Sequence, residues 1–309
     1  MQRWGKNKSG SVRFRCKFCN VSGTRKRLDL SQKYRKRLFV KWLLGKESLG
    51  EIATKYNTSI RTLNTWFKPF WGEEPLSKIE NIANKVLVID GKVIDKNSTV
   101  LVGTVNKKVV FWLFVQRESY ATWRTFFTNF DHIPFAIVGD GQKGMSKAIK
   151  EVFPRVIFQC CQFHVIKYCK TKLTQNPKTV AAQELRILVL QISKIKTKEE
   201  LRLWLENYKI WLQNHLEFVK EKNYPENSFT PTGRKRWHYT HKNLHSAYSH
   251  IKNAFPYLFR YLQHPRIQNT TNFVEGAINA PMQEKLRSHR GLKLPKRKIL
   301  IAQFLSSKQ

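Results

Sequence analysis

Three carboxylates stand out in a chain that is poor in them. Asp90 closes an apolar run, "KVLVID", and is followed at once by Gly91. Asp140 closes another, "FAIVGD", and is followed by Gly141. Glu275 lies far downstream in "NTTNFVEGAIN", with Asn279 one helical turn later on the same face. Each alone has an ordinary reading, since Asp-Gly is a common turn dipeptide and Asn272-x-x-Glu275 is a passable capping box. Taken together, at two strand tips and one late helix, they read as acids brought side by side. Two such carboxylates repel, and burying them unpaired is costly. A divalent cation removes both problems, and Mg2+, for which Mn2+ should substitute, takes the hard oxygen ligands that Asp and Glu supply. Two such ions ~3.5–4 Å apart activate an attacking oxygen and stabilise a leaving oxygen at a phosphodiester. Pro281 should kink or interrupt the helix of Glu275. If the helix starts at Pro281 instead, Glu284 becomes a rival third acid. Asp95 is a lesser rival for the first.

Composition makes the phosphodiester the natural substrate. Lys and Arg number 57 against 21 Asp and Glu, a formal net charge of +36 spread along 309 residues. A field of that sign attracts a polyanion. The longest apolar runs, "VVFWLFV" and "ILIAQFL", are core-sized, far short of the ~18–20 residues of a spanning helix. Neither a membrane partner nor a small-molecule substrate is expected. Five cysteines, including one CxxC and one CC pair, make a poor disulfide framework and fit a reducing compartment. The expectation is a soluble cytoplasmic protein.

Elements able to position the three acids follow from the apolar patterning. "KVLVIDGKVI", "STVLVGTVNKK" and "VVFWLFVQRES" are short, β-branched or aromatic runs joined by brief polar turns, an antiparallel meander. "YATWRTFFTNF" is a helix candidate, "FAIVGD" a buried strand, "GQKGMSKAIKEVF" a helix and "RVIFQC" a further strand. The order β-β-β-α-β-α-β followed by helices is that of a ribonuclease H-like fold, in which the ends of the first and fourth strands lie side by side. Residues 166–265 read as a mostly helical insertion, in which Trp204 and Trp211 have core spacing. The expected class is therefore α/β, with a core in two parts, 85–165 and 266–309.

Ahead of the core stand two smaller segments and a linker over 71–84. Residues 1–28 are basic, and Cys16-x-x-Cys19 resembles half of a zinc ribbon. Zn2+ needs four ligands there. Either the first knuckle is missing from this chain, or the pair is unmetallated, or a second molecule completes it. Residues 29–70 read as a helix-turn-helix domain: Leu49, Ile52 and Ala53 face inward, Asn57 and Thr58 turn, and Ser59 caps the second helix. That leaves Arg61, Thr62, Asn64 and Thr65 on the outer side, where a recognition helix meets DNA. "PTGRKRWHYTHKNLHSAYSH" interleaves Arg234, Arg236 and Trp237 with histidines, a mixture suited to a distorted DNA end. Arg287 and Arg290 add basic side chains beyond the late helix.

"QCCQFH" (159–164) resembles the Gln-x-Cys-x-x-His motif of the Mutator-like DDE transposases of bacterial insertion sequences. "VGDGQKGMSKAIKEVFP" is similar to the block around that family's second aspartate, and "TTNFVEGAIN" to the block around its glutamate. The resemblance spans roughly residues 85–292. It implies Asp90, Asp140 and Glu275 as the catalytic, metal-holding triad on a ribonuclease H-like core with a helical insertion. Double-stranded DNA, as element ends and target, is the implied partner, a homodimer or higher oligomer the implied assembly, and the bacterial nucleoid the implied setting. Cys161 and His164, three apart, either buttress the site or touch DNA, or are core residues. Two other readings stand beside this one: a non-catalytic DNA-binding regulator, and a nuclease that cuts without joining.

Overall fold

A computed structural model describes residues 1–8, 10–24, 28–77, 79–225, 232 and 236–309. Arg234, one of the sequence-predicted DNA contacts, lies outside the described residues. The chain divides into two compact units, one of residues 1–75 with 288–303, the other of residues 76–287 with 304–309.

In the first unit β1 (Gln2–Lys6), β2 (Val12–Arg15) and β3 (Ser22–Thr24) pair antiparallel in sequence order. Three helices follow: α1 (Leu28–Leu44), α2 (Leu49–Lys55) and α3 (Ile60–Phe67). Ser48 and Glu51 form a reciprocal capping box at the start of α2, and Ser59 accepts from the Thr62 amide to start α3. Asn57 turns the chain between them at φ 45°, a left-handed value that Asn tolerates. Ile52, Leu63 and Phe67 are fully buried, and Phe39, Trp42, Phe67, Phe70 and Trp71 pack as an aromatic cluster.

The second unit is built on β4 (Val86–Asp95), β5 (Ser98–Val105) and β6 (Lys108–Val115), an antiparallel meander. Next come α4 (Tyr120–Phe127), β7 (Ala136–Gly139), α5 (Lys143–Val152) and β8 (Ile157–Cys160). Sheet order is β6-β5-β4-β7-β8, with β4, β7 and β8 mutually parallel. Every residue of β5 and β7 is buried, as central strands covered on both faces require. Leu87 and Ile89 on one face of β4 join Trp123, Phe126 and Phe127 of α4 and Met145 of α5 in the core.

Helices α6 (Gln162–Leu173), α7 (Val180–Gln191) and α8 (Lys198–Lys220) come next, then the short pair β9 (Lys222–Asn223) and β10 (His238–Tyr239), then α9 (Lys242–Leu258). Trp204, Tyr208 and Trp211 stack in a ladder along α8, with ring centroids 5.2 and 5.9 Å apart. The two indole N–H groups donate to the carbonyls of Leu188 and Ala181 in α7. Beyond α9, α10 (Asn272–Val274) passes through a π-helical turn, Glu275–Asn279, into α11 (Ala280–Ser288), and α12 (Leu294–Ser306) ends the chain. Among the described residues no helix is long and apolar enough to cross a membrane.

Trp211 is 1% exposed and Trp237 45%. Trp211→Ala should therefore cost about 3–5 kcal/mol in urea unfolding followed by circular dichroism. Trp237→Ala should stay within about 0.5 kcal/mol of the parent.

Candidate active site

Strand register sets the first two acids beside each other. β4 and β7 pair Val86 with Ala136, Leu87 with Ile137 and Val88 with Val138. The same offset carried two residues further puts Asp90 level with Asp140. Asp90 is still inside β4, opposite Val102, and is 6% exposed. β7 stops one residue short of Asp140, and the chain turns there. The Gln142 amide donates to Asp140 Oδ1 at 2.9 Å, and Gly141 takes φ +80°. A Cβ on Gly141 would lie 2.6 Å from the Cys160 sulfur, so both the backbone angle and the space demand glycine. The Asp-Gly dipeptide is thus a turn, and that turn presents the acid.

The third acid arrives from 185 residues downstream of Asp90, on the helix that sequence reasoning expected Pro281 to interrupt. The helix runs on. Proline lacks an N–H and its ring crowds the carbonyl four residues back. The π turn immediately before Pro281 widens the backbone spacing there, and 272–288 remains helical throughout. Asn279, 2% exposed, donates its amide to Asp90 Oδ2 at 2.6 Å. Glu275 Oε1 lies 3.4 Å from His164 Nε2. Glu284 is exposed, and Asp95 caps the β4–β5 turn by accepting from the Lys96 amide.

Ligand atoms of Asp90, His164 and Glu275 fall within 4.8 Å of one another. Asp140 is not one of this close trio, but its charge is felt in it. Burial pushes the Asp90 carboxyl up to about 6, helped by the Glu275 and Asp140 charges and opposed by His164. Burial raises Asp140 as well, against the Gln142 amide and His164. Burial works against a charged His164, yet the Cys161 thiol and the Asp90 and Asp140 carboxylates push it up to about 9. Cys161 is fully buried where α6 begins, and its sulfur accepts the Thr271 amide at 3.2 Å. That bond ties α6 to the entry of the Glu275 helix. Burial would raise the thiol, but contact with His164 and Thr271 holds it below its ordinary value.

These residues fit a divalent cation. Burial raises the Asp90 and Asp140 carboxyls, the Glu275 and Asp140 charges add to the shift at Asp90, and the His164 imidazole opposes both. Oxygen donors of this kind are those of Mg2+ or Mn2+. A cleft of about 590 Å3 opens from Asp140 and His164 along α6, lined by Lys167, Tyr168, Thr171, Lys172 and His250. Basic side chains therefore stand beside the acids.

Other sequence-predicted residues lie elsewhere. Arg61, Asn64 and Thr65 are exposed on α3, whereas Thr62 is half-buried with its hydroxyl 2.9 Å from that of Ser59. Arg236 and Trp237 are exposed, and Lys222 stacks on the Trp237 ring at 4.3 Å. Arg287 and Arg290 are exposed. His241 and His245 stack on Phe218 and Tyr239. Cys16 and Cys19 face each other across the turn between β2 and β3, and the amides of Cys19 and Phe18 lower the Cys16 thiol to about 7. Among the described residues no third Cys, His or acid joins them in a cluster.

Two residues escaped the sequence reading. Gln159 is fully buried, donates to the Leu258 carbonyl and accepts from the Tyr261 amide, so the end of α9 is latched to β8. Glu118 is a fourth acid near Asp90 and Asp140. It follows the apolar run of β6 much as Asp90 and Asp140 follow theirs, and that pattern could have found it.

Residues 86–239 match the family described as "Transposase, Mutator family". The matched stretch contains Asp90, Asp140, Cys161 and His164 and ends before Glu275. No curated protein matches the chain.

Without divalent cations the buried charge should show in stability. Asp90 titrates higher in the folded protein, at about 6, than unfolded, near ~3.9. The folded state therefore holds the proton more tightly, and stability falls as pH rises from about 4 through about 6. In EDTA, Asp90→Asn should match the parent near pH 4 and exceed it by roughly 1–3 kcal/mol at pH 7. Parallel pH profiles in urea titrations would mean that the Asp90 charge carries no such cost.

Proposed function

We infer, from a chain that belongs to the Mutator family of transposases, that it cuts the ends of a DNA element and joins them to target DNA with Asp90, Asp140 and Glu275 as its catalytic acids. The observation carrying this reading is the meeting of Asp90 with the helix of Glu275 and Asn279, separated by 189 residues yet joined by a 2.6 Å hydrogen bond. The sheet order β6-β5-β4-β7-β8 supports a ribonuclease H-like core, with residues 166–265 as its helical insertion.

Asp90, Asp140 and Glu275 would hold two divalent cations, Mg2+ or Mn2+, which supply Lewis acidity to the attacking and leaving oxygens of a phosphodiester. Asn279 fixes the rotamer of Asp90 and leaves its carboxylate pointing where the strand tips meet. His164 orients Glu275, and Cys161 with Thr271 keeps the imidazole in place. The first step is hydrolysis at the element end, which breaks a P–O3′ bond and frees a 3′-hydroxyl. In the second, that hydroxyl attacks a target phosphorus, forming a new P–O3′ bond as the target's own 3′-oxygen departs. No protein nucleophile is needed.

Binding falls to the basic surface. Arg61, Thr62, Asn64 and Thr65 of α3 suit the recognition helix of a helix-turn-helix, and Arg236, Trp237, Arg287 and Arg290 suit contacts near the cut ends. Lys167 and Lys172 line the cleft that leads from Asp140. Bringing two ends together calls for a dimer or larger assembly on DNA. Cys16 and Cys19 offer half of a tetrahedral Zn2+ site, to be completed by other ligands.

The test uses DNA carrying the ends that flank this gene, with protein and Mg2+ or Mn2+. Wild type should cut and join, and Asp140→Asn should bind equally while losing at least ~10³-fold in cleavage, the order of one lost electrostatic contributor. Binding without cutting by both proteins would leave a DNA-binding regulator. Cutting without joining would leave a nuclease. With ~6–10 phosphate contacts, affinity should drop ~10³–10⁵-fold between ~50 and ~200 mM salt in fluorescence anisotropy.

A further inference from the structure

We propose that α5, α6 and α9 form a track for one unpaired DNA strand, which crosses the turn at Asp140. The inference rests on the reading of Asp140 as a catalytic acid and names the form of DNA that reaches it. Two clefts meet at this turn. The one described above runs from Asp140 and Gln142 along α6. A second, of about 370 Å3, starts at Gly141 and follows α5, where Lys143, Lys147 and Lys150 line it from one face of the helix. Helix α9 walls both, with His250 in the first cleft and Asn253, one turn later, in the second. Asp140 therefore stands where the two arms meet.

Both arms repeat the same chemistry, lysines beside a tyrosine ring. In the first, Lys172 Nζ lies 5.6 Å from the centroid of Tyr168. In the second, Lys150 Nζ lies 5.4 Å from that of Tyr257. Asp140 is the only acid lining either cleft among the described residues. Lysines on both sides of it suit successive phosphates of one backbone. Tyr168 is 37% exposed, yet it is held in place. Its ring packs 4.2 Å from that of His250, and its hydroxyl lies 2.7 Å from the Ser246 hydroxyl. A fixed, accessible ring beside lysines suits a base stacked on it and the phosphate next to that base. In a duplex the bases stack on one another and offer a protein their edges, so the ring suits an unpaired strand. A merely solvated lysine face would call for no tyrosine in each arm.

The readout is fluorescence anisotropy of the full chain in Mg2+, with a labelled single strand of ~12 nucleotides and, separately, the blunt duplex of the same sequence. Tyr168→Ala should weaken the single strand at least ~5-fold and leave the duplex within about twofold. Tyr168→Phe keeps the ring and should bind both as the parent does. Lys143→Ala and Lys167→Ala, one from each arm, should each lower the slope of log affinity against log salt by about 0.7 for the single strand. Both lysines are exposed, so their variants decide the question even if Tyr168→Ala is less stable. If Tyr168→Ala, folded, binds the single strand within about twofold of the parent, or neither lysine changes the slope, the track falls and the catalytic reading is untouched. If single strand and duplex weaken alike, the surface is a general phosphate site and the proposal fails. If the variants lose the single strand but the parent never cuts element ends, the track stands and the catalytic reading fails alone.

Discussion

Like-charged carboxylates held out of water beside one another are the constraint on which the second unit is organised. Asp90 is almost wholly buried, and Glu275 and Asp140 both add to the difficulty of ionising it. A cluster of that kind is a poor way to stabilise a fold, since each charge loses solvation and gains only repulsion. The surroundings soften the cost without removing it. Asn279 donates to Asp90, the Gln142 amide donates to Asp140, and His164 lies within reach of Glu275. One imidazole against several acids leaves a net negative site in a chain whose net charge is +36. The contrast separates the two tasks: the surface draws in a polyanion, and the centre is suited to cations that can act on it.

Keeping acids from distant parts of the chain together takes rigid supports. Asp90 and Asp140 are placed by the parallel register of β4 and β7, which a one-residue slip would turn to opposite faces. Glu275 and Asn279 both lie in the π turn, and the altered spacing decides which way each side chain leaves the helix. The helical stretch between β8 and that helix does not wander, because Gln159 and Gln162 bond the end of α9 through the Leu258 carbonyl. Asn269 closes the same circuit: its carbonyl accepts the Gln162 amide, and its side chain donates to Gln162. The Gln-x-Cys-x-x-His segment thereby has a mechanical meaning. Gln159 anchors α9, Cys161 anchors the approach to α10, and His164 meets Glu275.

Much was legible in the sequence because the signals were local. β-branched alternation announced β4 to β6, the inward Leu49, Ile52 and Ala53 announced α2, Ser59 announced the start of α3, and the i, i+7 tryptophans announced a packed face on α8. Asp90 and Asp140 were visible because an acid that closes a buried apolar run has few structural uses. Composition alone, through a formal net charge of +36, pointed to a polyanionic partner.

Tertiary structure decided the rest. That Pro281 leaves the Glu275 helix intact depends on a π turn, whose cost is accepted only because Asn279 and Glu275 gain partners on other elements. That Cys161 is a buried tie depends on Thr271, 110 residues away. That the Glu118 carboxylate lies against β4 depends on the missing side chain of Gly91, a gap on a strand face that no reading along the chain can see. Periodicity and capping act within a few residues, so sequence fixes elements. Charges act through space, so only the packing of those elements decides which acids share a site.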